Sequence, residues 1–385
     1  MKSLLLSEIF PPTHGGSGRW FWEIYSRLPR ERVVVAAGDT AGDVEFDATH
    51  DMNLARLPLS LEHWGVKSFA GLKGYWKAIS QIKKLKRSEA ADVVHCGRVL
   101  PEGVMALGLK YLTGTPFLCY VHGEDVTTAV ESREYVFLIR RVLKNTKVVI
   151  ANSQNTADIL TNQWNVPVDK VRVLHPGVDT KRFTPVPACQ ETRQRLGWED
   201  RKVVLTVGRL QRRKGQDQLI RAISKIRESV PNVLYSIIGG GNDREYLEQI
   251  VAEEGVSEYV QFRGEPDDSE LASCYQQCDL FVLPNRQEGN DIEGFGMVLL
   301  EAQACGKPVI AGASGGTRET MKLSETGVVI PCDTPSPLDE TVANLLLDDA
   351  KREQMGLAAR EWVVEQFDWD SLAVKATELF DSVDA

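Results

Sequence analysis

Residues 202–226 read KVVLTVGRLQRRKGQDQLIRAISKI and outline a strand, a loop and a helix. The apolar run 202–207 has the length of a buried strand, and a loop with four cationic residues follows it. Apolar residues then recur at the spacing of one helix face: Leu219, Ile220, Ile223 and Ile226. A strand that leads through a loop into a helix is the repeating unit of parallel α/β sheets.

The same alternation extends along the whole chain in two series. Apolar runs of strand length lie at 3–6, 32–37, 92–96, 116–121, 147–151 and 171–174. A second series lies at 202–207, 233–238, 259–262, 280–283, 308–311 and 327–330. Helical patterns separate several of these runs, so the sequence predicts two doubly wound α/β domains.

The boundary between the predicted domains falls in the segment 176–187, where three prolines and a glycine interrupt any regular element. We expect an N-terminal Rossmann-like domain over 1–178 and a second Rossmann-like domain over 179–368. A last helix within 369–385 is expected to cross back to the first domain.

Composition excludes several classes of protein. The chain of 385 residues has a net charge of −9, which argues against nucleic acid as a partner because phosphate backbones are bound by Lys and Arg. The seven cysteines form no zinc or disulfide pattern, and Cys274 and Cys278 are predicted to be core residues. No segment has the length of a spanning helix or of a signal sequence, so we expect a cytoplasmic protein.

Two cations at the end of the strand 202–207 are candidate ligands for a diphosphate. The carboxyl ends of strands are where open α/β sheets bind their ligands. Arg209 can bind two oxygens with its guanidinium, and Lys214 supplies a compact charge. Arg212 and Arg213 are expected to face solvent, as residues in charge runs usually do.

Seven residues, which include a glycine-containing turn and the first of a run of helix formers, separate Glu293 from Glu301. The helix start between them favours an anion, and carboxylates accept hydrogen bonds from hydroxyl groups at both ends of a sugar nucleotide. The alternative is that Glu293 caps the helix through its charge and that Glu301 is a solvated helix residue.

The first predicted domain has two candidate ligand-binding segments, each of which follows a predicted strand. Gly15 and Gly16 lie in a loop between the first strand and a helix, which suits a phosphate or sugar, although a plain turn is the alternative. His122 and Asp125 follow the strand 116–121. His122 can hydrogen-bond a sugar hydroxyl or stabilise charge on a leaving group; a structural role is the alternative.

We expect no bound metal at the nucleotide site. The pair Asp368 and Asp370 is the one Asp-x-Asp sequence in the chain, and it stands at a predicted helix start, where capping by Asp370 or Ser371 explains it.

Four motifs together resemble the retaining, nucleotide-sugar-dependent glycosyltransferases of family four. They are the Gly15-Gly16 loop, His122-Gly123-x-Asp125, Gly208-Arg209-x4-Lys214-Gly215, and the segment Glu293 to Glu301 with its continuation to Val309. The resemblance implies a GT-B architecture, with two Rossmann-like domains facing across a cleft. The segments 291–296 and 312–316 most resemble bacterial phosphatidylinositol mannosyltransferases, which use GDP-mannose.

The resemblance also implies roles for single residues. Arg209 and Lys214 would bind and stabilise the leaving diphosphate, while Glu293 would hold the transferred hexose near its 3-hydroxyl and Glu301 the ribose. The remaining donor-binding positions are backbone: Gly16 at the phosphate, Phe295, Gly296 and Met297 at phosphate and sugar, and Arg263 with Gly264 at the base. No nucleophile is evident, so retention implies an oxocarbenium-like transition state with attack and departure on one face.

The function that follows is transfer of a hexose, with mannose from GDP-mannose expected, to a hydroxyl of a lipid or glycan. A UDP-sugar donor, carrying glucose or N-acetylglucosamine, is the alternative enzyme. A non-catalytic regulator that binds sugar nucleotides is disfavoured, because Arg209, Lys214, Glu293 and Glu301 are all present.

The segment 67–87 carries seven Lys or Arg residues and no Asp or Glu, with aromatic and aliphatic residues between them. Two interpretations stay open. The segment can rest on an anionic membrane surface, on the inner face of the membrane, or it can be a solvated helix whose aromatic residues pack inward.

Overall fold

The computed structural model describes residues 1–13, 15–61 and 64–384. The chain forms two compact units. The N-terminal unit contains Met1–Pro176 and Trp369–Ala385, and the C-terminal unit contains Gly177–Asp368. The predicted limit at 178 is two residues late, since Val178 N–H donates to the Phe367 carbonyl and its side chain lies in the core of the C-terminal unit.

The N-terminal unit is a seven-stranded sheet with helices around it. Its strands are β1 Ser3–Ser7, β2 Val33–Gly38, β3 Leu54–Leu57, β4 Val93–Cys96, β5 Phe117–Val121, β6 Val149–Ala151 and β7 Val171–Val173. Its helices are α1 Gly16–Tyr25, α2 Asp43–Asp47, α3 Phe69–Ser88, α4 Val104–Thr113, α5 Glu124–Thr127, α6 Arg133–Asn145, α7 Gln154–Asn162 and α15 Trp369–Asp384.

The C-terminal unit is a six-stranded sheet of the same type. Its strands are β8 Lys202–Val207, β9 Val233–Ile238, β10 Val260–Gly264, β11 Leu280–Leu283, β12 Val309–Gly312 and β13 Gly327–Ile330. Its helices are α8 Gln190–Arg195, α9 Gln216–Ser229, α10 Arg244–Glu253, α11 Asp268–Gln277, α12 Met297–Ala304, α13 Ser336–Leu347 and α14 Asp349–Phe367.

Both sheets are parallel and doubly wound, which confirms the predicted fold class. The strand order is β3-β2-β1-β4-β5-β6-β7 in the first unit and β10-β9-β8-β11-β12-β13 in the second. The order reverses direction between β1 and β4, and again between β8 and β11. In open α/β sheets a crevice forms at such a reversal, outside the carboxyl ends of the strands.

The core explains why the strands could be recognised in the sequence. Val203 and Leu205 of β8 pack on one face of the second sheet, and Val204 packs on the other, against Ile220 and Ile223 of α9. A strand buried on both faces is apolar throughout. Cys274 and Cys278 are buried, as predicted.

One strand was missed. The strand β3 lies at the edge of its sheet and pairs with β2 alone, and each of its four residues is partly exposed. Its sequence LARL therefore lacks the continuous burial that gives a strand its apolar signal.

The C-terminal helix α15 belongs to the N-terminal unit. Phe380 packs on Tyr25 of α1 and on His95 of β4. Arg27 pairs with Asp370 at 2.8 Å, and Arg32 pairs with Asp381. The helix begins at Trp369, so Asp370 lies in its first turn. The prediction that Asp370 or Ser371 is the cap is wrong by at least one residue.

Candidate active site

Glu293 is the centre of a buried ion-pair cluster in the C-terminal unit. Its Oε2 accepts from Lys214 Nζ at 2.5 Å and from an Arg213 guanidinium nitrogen at 2.6 Å. Asp291 Oδ2 lies 3.1 Å from Arg213 Nε. Burial alone would raise the pKa of Glu293, but the charges and hydrogen bonds of Lys214 and Arg213 outweigh it and lower the pKa. Glu293 is therefore an anion in the folded protein.

Arg213 corrects one expectation from the sequence. Arg212 is exposed, as predicted, but Arg213 is only 7% exposed and binds Glu293. Residues Arg212–Lys214 form a 3-10 turn that ends at Gly215, where φ is +71°. A Cβ at Gly215 would lie 1.8 Å from the Pro284 carbonyl oxygen, so this turn packs tightly against the end of β11. That contact directs Arg213 and Lys214 inward.

Arg209 has a different environment from these two cations. It follows β8 and is exposed, and within the described residues its guanidinium makes no hydrogen bond or ion pair. Gln216 Nε2 donates to the Arg209 carbonyl at 3.0 Å, which fixes the backbone beneath the side chain. Arg209 is thus available to a ligand, whereas Lys214 is paired with Glu293.

Asn285 is a residue that sequence reasoning missed. It is fully buried after β11, its Oδ1 accepts from Gly312 N–H at 3.0 Å, and its Nδ2 donates to the Ser314 carbonyl at 2.9 Å. The loop held in this way packs on Glu293: a Cβ at Gly315 would lie 1.7 Å from the Glu293 carbonyl oxygen, to which Gly316 N–H donates. Its one signal in the sequence is a polar residue at the end of a buried strand.

The helix α12 begins beside Glu293 with its first N–H groups uncapped. Its N-cap residue, Gly296, has φ +92°, no side chain caps the helix, and its first turn contains no acid. Phe295 is buried and packs on Phe367, which anchors the turn. The free N–H groups and the helix dipole favour an anion at this point. The predicted positions Phe295, Gly296 and Met297 therefore lie at an anion-attracting end of the helix.

Glu301, one helical turn further along α12, is partly buried and hydrogen-bonded. Tyr275 of α11 donates to Glu301 Oε2 at 2.6 Å. Burial and then the charge of Glu301 raise the pKa of Tyr275 well above its ordinary value. The hydrogen bond orients the Glu301 carboxylate. Sequence reasoning missed Tyr275, because an apolar helix face gives no sign that a hydroxyl will meet an acid.

Arg263 is engaged within its own unit. Its guanidinium donates to the Leu196 carbonyl at 2.9 Å and pairs with Glu270. The neighbouring Gly264 carbonyl accepts from Gly239 N–H at 2.7 Å. The side chain of Arg263 therefore supports the end of β10, and contact between this backbone and a base stays a prediction.

In the N-terminal unit, Gly15 and Gly16 connect β1 to α1. Gly15 is the N-cap residue, and a Cβ there would lie 3.0 Å from Ile9 Cγ2. As in α12, no side chain caps α1 and its first turn contains no acid. The loop therefore presents backbone N–H groups at the carboxyl edge of the first sheet; His14 lies outside the described residues.

His122 is held by backbone contacts at the end of β5. Its Nε2 lies 2.8 Å from the Gly97 carbonyl, which assigns the proton to Nε2 and leaves Nδ1 as an acceptor. Asp125 Oδ1 accepts from His122 N–H at 3.0 Å. Burial and the charge of Arg98 lower the pKa of His122 to about 4. A neutral ring favours a hydrogen bond to a hydroxyl over the stabilisation of negative charge.

Asp125 contrasts with Glu293. Burial raises the pKa of Asp125 to about 7, against the effect of the hydrogen bond from His122 N–H.

The described residues contain no group of three His, Cys, Asp or Glu side chains placed to hold a metal ion. No helix among them is both long enough and apolar enough to cross a bilayer.

Comparison with known proteins gives the family. Residues 14–182 match the family described as Glycosyltransferase Family 4, and residues 189–362 match Glycosyl transferases group 1. A GDP-mannose-dependent alpha-(1-6)-phosphatidylinositol monomannoside mannosyltransferase of Mycobacterium tuberculosis is 33% identical over 100% of this chain and 99% of its own length. The chain belongs to glycosyltransferase family four. The resemblance seen in the sequence motifs is confirmed, and the protein is an enzyme.

Two further similarities support the assignment of this chain to the glycosyltransferase family. A Corynebacterium glutamicum enzyme, named GDP-mannose-dependent monoacylated alpha-(1-6)-phosphatidylinositol monomannoside mannosyltransferase, is 30% identical over 99% of this chain and 98% of its own. The crystal structure of Anabaena HepE in complex with UDP matches with a TM-score of 0.83 and 21% identity, over 99% of this chain and 100% of HepE. At that identity the match shows the GT-B fold alone.

Proposed function

We propose that this glycosyltransferase transfers mannose from GDP-mannose, with retention, to a hydroxyl group of a phosphatidylinositol mannoside. The observation that carries the proposal is the ion pair of Lys214 with Glu293, three residues before the uncapped N-cap Gly296 of α12. Arg209, exposed and without an ion pair among the described residues, follows β8 in the same unit. The full-length relatives named above support the donor and the lipid acceptor.

The diphosphate of the donor is matched by positive groups that the fold keeps in place. Arg209 binds it with a free guanidinium, Lys214 adds a point charge, and the α12 N–H groups donate hydrogen bonds. These groups stabilise negative charge that develops as the sugar leaves, in place of a metal ion. Glu293, ionised and fixed by two cations, accepts from a hexose hydroxyl, and Glu301 accepts from the ribose.

The reaction needs no enzymatic nucleophile in this scheme. The bond from the sugar C1 to the phosphate oxygen breaks, and its electron pair stays on the diphosphate. The acceptor oxygen bonds to C1 on the same face, and its proton passes to the departing phosphate oxygen. Neutral His122 offers Nδ1 to a hydroxyl group and adds no charge to the site.

A donor panel tests the proposal. The full-length protein is incubated with GDP-mannose, UDP-glucose, UDP-N-acetylglucosamine and ADP-glucose, each with a phosphatidylinositol mannoside and excess EDTA. We expect turnover with GDP-mannose alone and an α-linked product by NMR. Turnover with a UDP-sugar would support the alternative donor, and a β-linked product would overturn retention.

We further propose that α3 docks the enzyme on an anionic membrane surface. Three large apolar side chains of this helix are exposed: Phe69 by 85%, Leu72 by 55% and Trp76 by 72%. Tyr75 and Ile82 face the core instead, so the packed-inward interpretation holds for them but not for the exposed three. The exposed basic residues of the helix lie along the same side: Lys73, Lys77, Lys84 and Arg87. An apolar stripe beside cations suits anionic lipid headgroups.

Co-sedimentation with liposomes tests this surface. The wild-type protein should sediment with vesicles containing phosphatidylinositol, less at high salt, and not with phosphatidylcholine alone. The double variant Phe69→Ser/Trp76→Ser should lose most of the binding. The control Leu357→Ser removes an exposed leucine of α14 and should bind normally. Equal binding to neutral vesicles would remove the electrostatic part of the proposal, and full binding by the double variant would remove the apolar part.

A further inference from the structure

Arg98 is a partly buried cation without an acidic partner. Its guanidinium makes one hydrogen bond in the described part of the chain, a long one of 3.4 Å to Ser17 Oγ, and no ion pair. Other arginines with largely buried side chains pair with carboxylates: Arg213 with Glu293, Arg263 with Glu270, Arg286 with Asp217 and Arg352 with Asp349. Since an unpaired charge away from water is costly, Arg98 has the character of a group kept for a ligand.

The position of Arg98 is where an α/β sheet binds its ligand. Arg98 follows β4, and Ser17 is the second residue of α1, which follows β1. The strands β1 and β4 are neighbours, and the strand order reverses between them. The contact between Arg98 and Ser17 therefore spans the crevice at the reversal point of the N-terminal sheet.

The groups that meet there are hydrogen-bond donors. Arg98 supplies a guanidinium fork, Ser17 supplies a hydroxyl, and α1 adds the positive end of its dipole, with no acid in its first turn. One guanidinium group can donate two parallel hydrogen bonds to two oxygens of a phosphate. This set suits an anion with several oxygen atoms.

Two buried carboxyl groups lie close enough for the charge of Arg98 to act on them, but neither forms an ion pair with it among the described residues. Glu102 is 1% exposed, its Oε1 accepts from Glu8 N–H at 2.8 Å, and its Oε2 has no partner in the described structure. Burial raises the pKa of Glu102 to about 7, although Arg98 lowers it. The pKa of Asp125 is about 7 for the same reason. Neither carboxyl makes a hydrogen bond or an ion pair with Arg98 among the described residues, so the N–H groups of the guanidinium are left for a ligand.

We propose that Arg98, with the Ser17 hydroxyl, binds the phosphate group of the acceptor. This rests on the proposed function, in which the acceptor is a phosphoinositide glycolipid, and it assigns the group that distinguishes that acceptor from a neutral glycoside. The donor diphosphate has its own cations, Arg209 and Lys214, in the C-terminal unit. This proposal leaves the backbone N–H of Gly16 for the predicted contact with the donor.

The first experiment is calorimetric and needs no turnover. Inositol 1-phosphate and myo-inositol are titrated into the full-length wild type and into Arg98→Gln, Arg98→Lys and Arg30→Gln. Arg30 is the matched control, because it is exposed and precedes β2, at the opposite edge of the same sheet. We expect Arg98→Gln to weaken binding of inositol 1-phosphate by roughly 10–100-fold, with Arg98→Lys between it and wild type. Arg30→Gln should bind as wild type does.

The second experiment is kinetic and separates the two substrates. With a short-chain phosphatidylinositol mannoside and GDP-mannose, Arg98→Gln should raise the acceptor KM by a similar factor and leave the donor KM unchanged. Melting temperatures of the variants show whether they fold.

The outcomes are distinct. Equal affinity of wild type and Arg98→Gln for inositol 1-phosphate, or no binding to either protein, would overturn the assignment of Arg98. A rise in the donor KM alone would indicate that Arg98 binds the donor diphosphate, and it would also overturn the assignment to the acceptor phosphate. If the wild type binds inositol 1-phosphate through Arg98 but does not turn over GDP-mannose, the proposed function fails and the phosphate site stands.

Discussion

The two units differ in how they hold the buried acids at their candidate sites. In the C-terminal unit, Glu293 is kept ionised by Lys214 and Arg213, which lower its pKa. In the N-terminal unit, Glu102 and Asp125 have no ion-pair partner among the described residues, and burial raises the pKa of each to about 7. His122 beside them is neutral above a pKa of about 4. The site of the C-terminal unit holds fixed opposite charges, whereas burial at the site of the N-terminal unit disfavours the charged forms of Glu102, Asp125 and His122.

This difference follows the two halves of the proposed reaction. A leaving diphosphate gains negative charge, and fixed cations stabilise it without reorganisation. An acceptor hydroxyl is neutral, and it needs hydrogen-bonding groups that do not compete for charge. The four predictions below test the contrast, beginning with the largest expected effect.

Removal of a fixed cation should affect turnover most. We expect Lys214→Ala to lower kcat by about 10²–10⁴-fold, because the diphosphate loses a charge that acts in the transition state. Steady-state rates and melting curves give the result. Lys225→Ala is the control, since Lys225 is an exposed lysine on α9 that pairs with Glu228. A folded Lys214→Ala enzyme with near-normal turnover would contradict the role given to the cluster.

Arg213 should act through Glu293. In Arg213→Gln, one of the two cations that lower the pKa of Glu293 is lost, so that pKa rises and the carboxylate is protonated at a higher pH. We expect the acidic limb of the pH–rate profile to move to higher pH and kcat to fall by about 10-fold at neutral pH. Arg213→Lys should restore part of both. An unchanged acidic limb would show that Arg213 is merely structural.

The two α/β domains could be predicted from the sequence, because strands that are buried on both faces appear as continuous apolar runs. Strands such as β8 and β11 are largely apolar and almost fully buried, and residues at their carboxyl ends could be placed together without coordinates. Arg209 and Lys214 are predicted in this way, whereas Glu293 is predicted from its spacing to Glu301 around a helix start. The inward direction of Arg213 could not be, since it depends on a contact between Gly215 and Pro284 that joins distant parts of the chain.

Tyr275 should have a smaller effect, limited to the donor. Its hydroxyl orients Glu301, so Tyr275→Phe should raise the donor KM by about 3–10-fold and leave kcat nearly unchanged. Tyr235→Phe is the control, because Tyr235 donates to Thr206 inside the same unit, away from either glutamate. An unchanged donor KM in Tyr275→Phe would remove Glu301 from the ribose site.

Asp125 should affect the pH dependence of stability more than the rate. Its pKa rises from 3.8 in the unfolded chain to about 7 in the fold, so between these pH values the folded state binds more protons than the unfolded state. The free energy of unfolding therefore falls as pH rises through that window.

Asp125→Asn removes this titration and keeps an oxygen that can accept from His122 N–H. As the pH rises from 4 to 7, the free energy of unfolding of the variant should increase relative to that of wild type by on the order of 2 kcal/mol. Urea unfolding at each pH measures this difference. The exposed Asp158 of α7 is the control, and Asp158→Asn should follow wild type across the window. A difference between Asp125→Asn and wild type that does not change with pH would show that Asp125 is already ionised in the fold.

These pKa shifts also mark what the sequence could not give. His122 and Asp125 stood out by their position after β5, but their protonation depends on burial and on Arg98, which enters from the end of β4. Tyr275 and Asn285 gave no chemical signal, because their roles arise from single hydrogen bonds between elements. Pattern in the sequence predicts strand ends; it does not predict which polar groups meet there.

We propose that fixed side-chain cations, rather than a metal ion, hold the donor diphosphate. Calorimetric titration of GDP-mannose into the full-length protein tests it most directly, once in excess EDTA and once in Mg²⁺. We expect the two affinities to agree within a factor of about two, and Lys214→Ala to weaken both. Binding that occurs only when Mg²⁺ is present, with no loss in Lys214→Ala, would contradict the account.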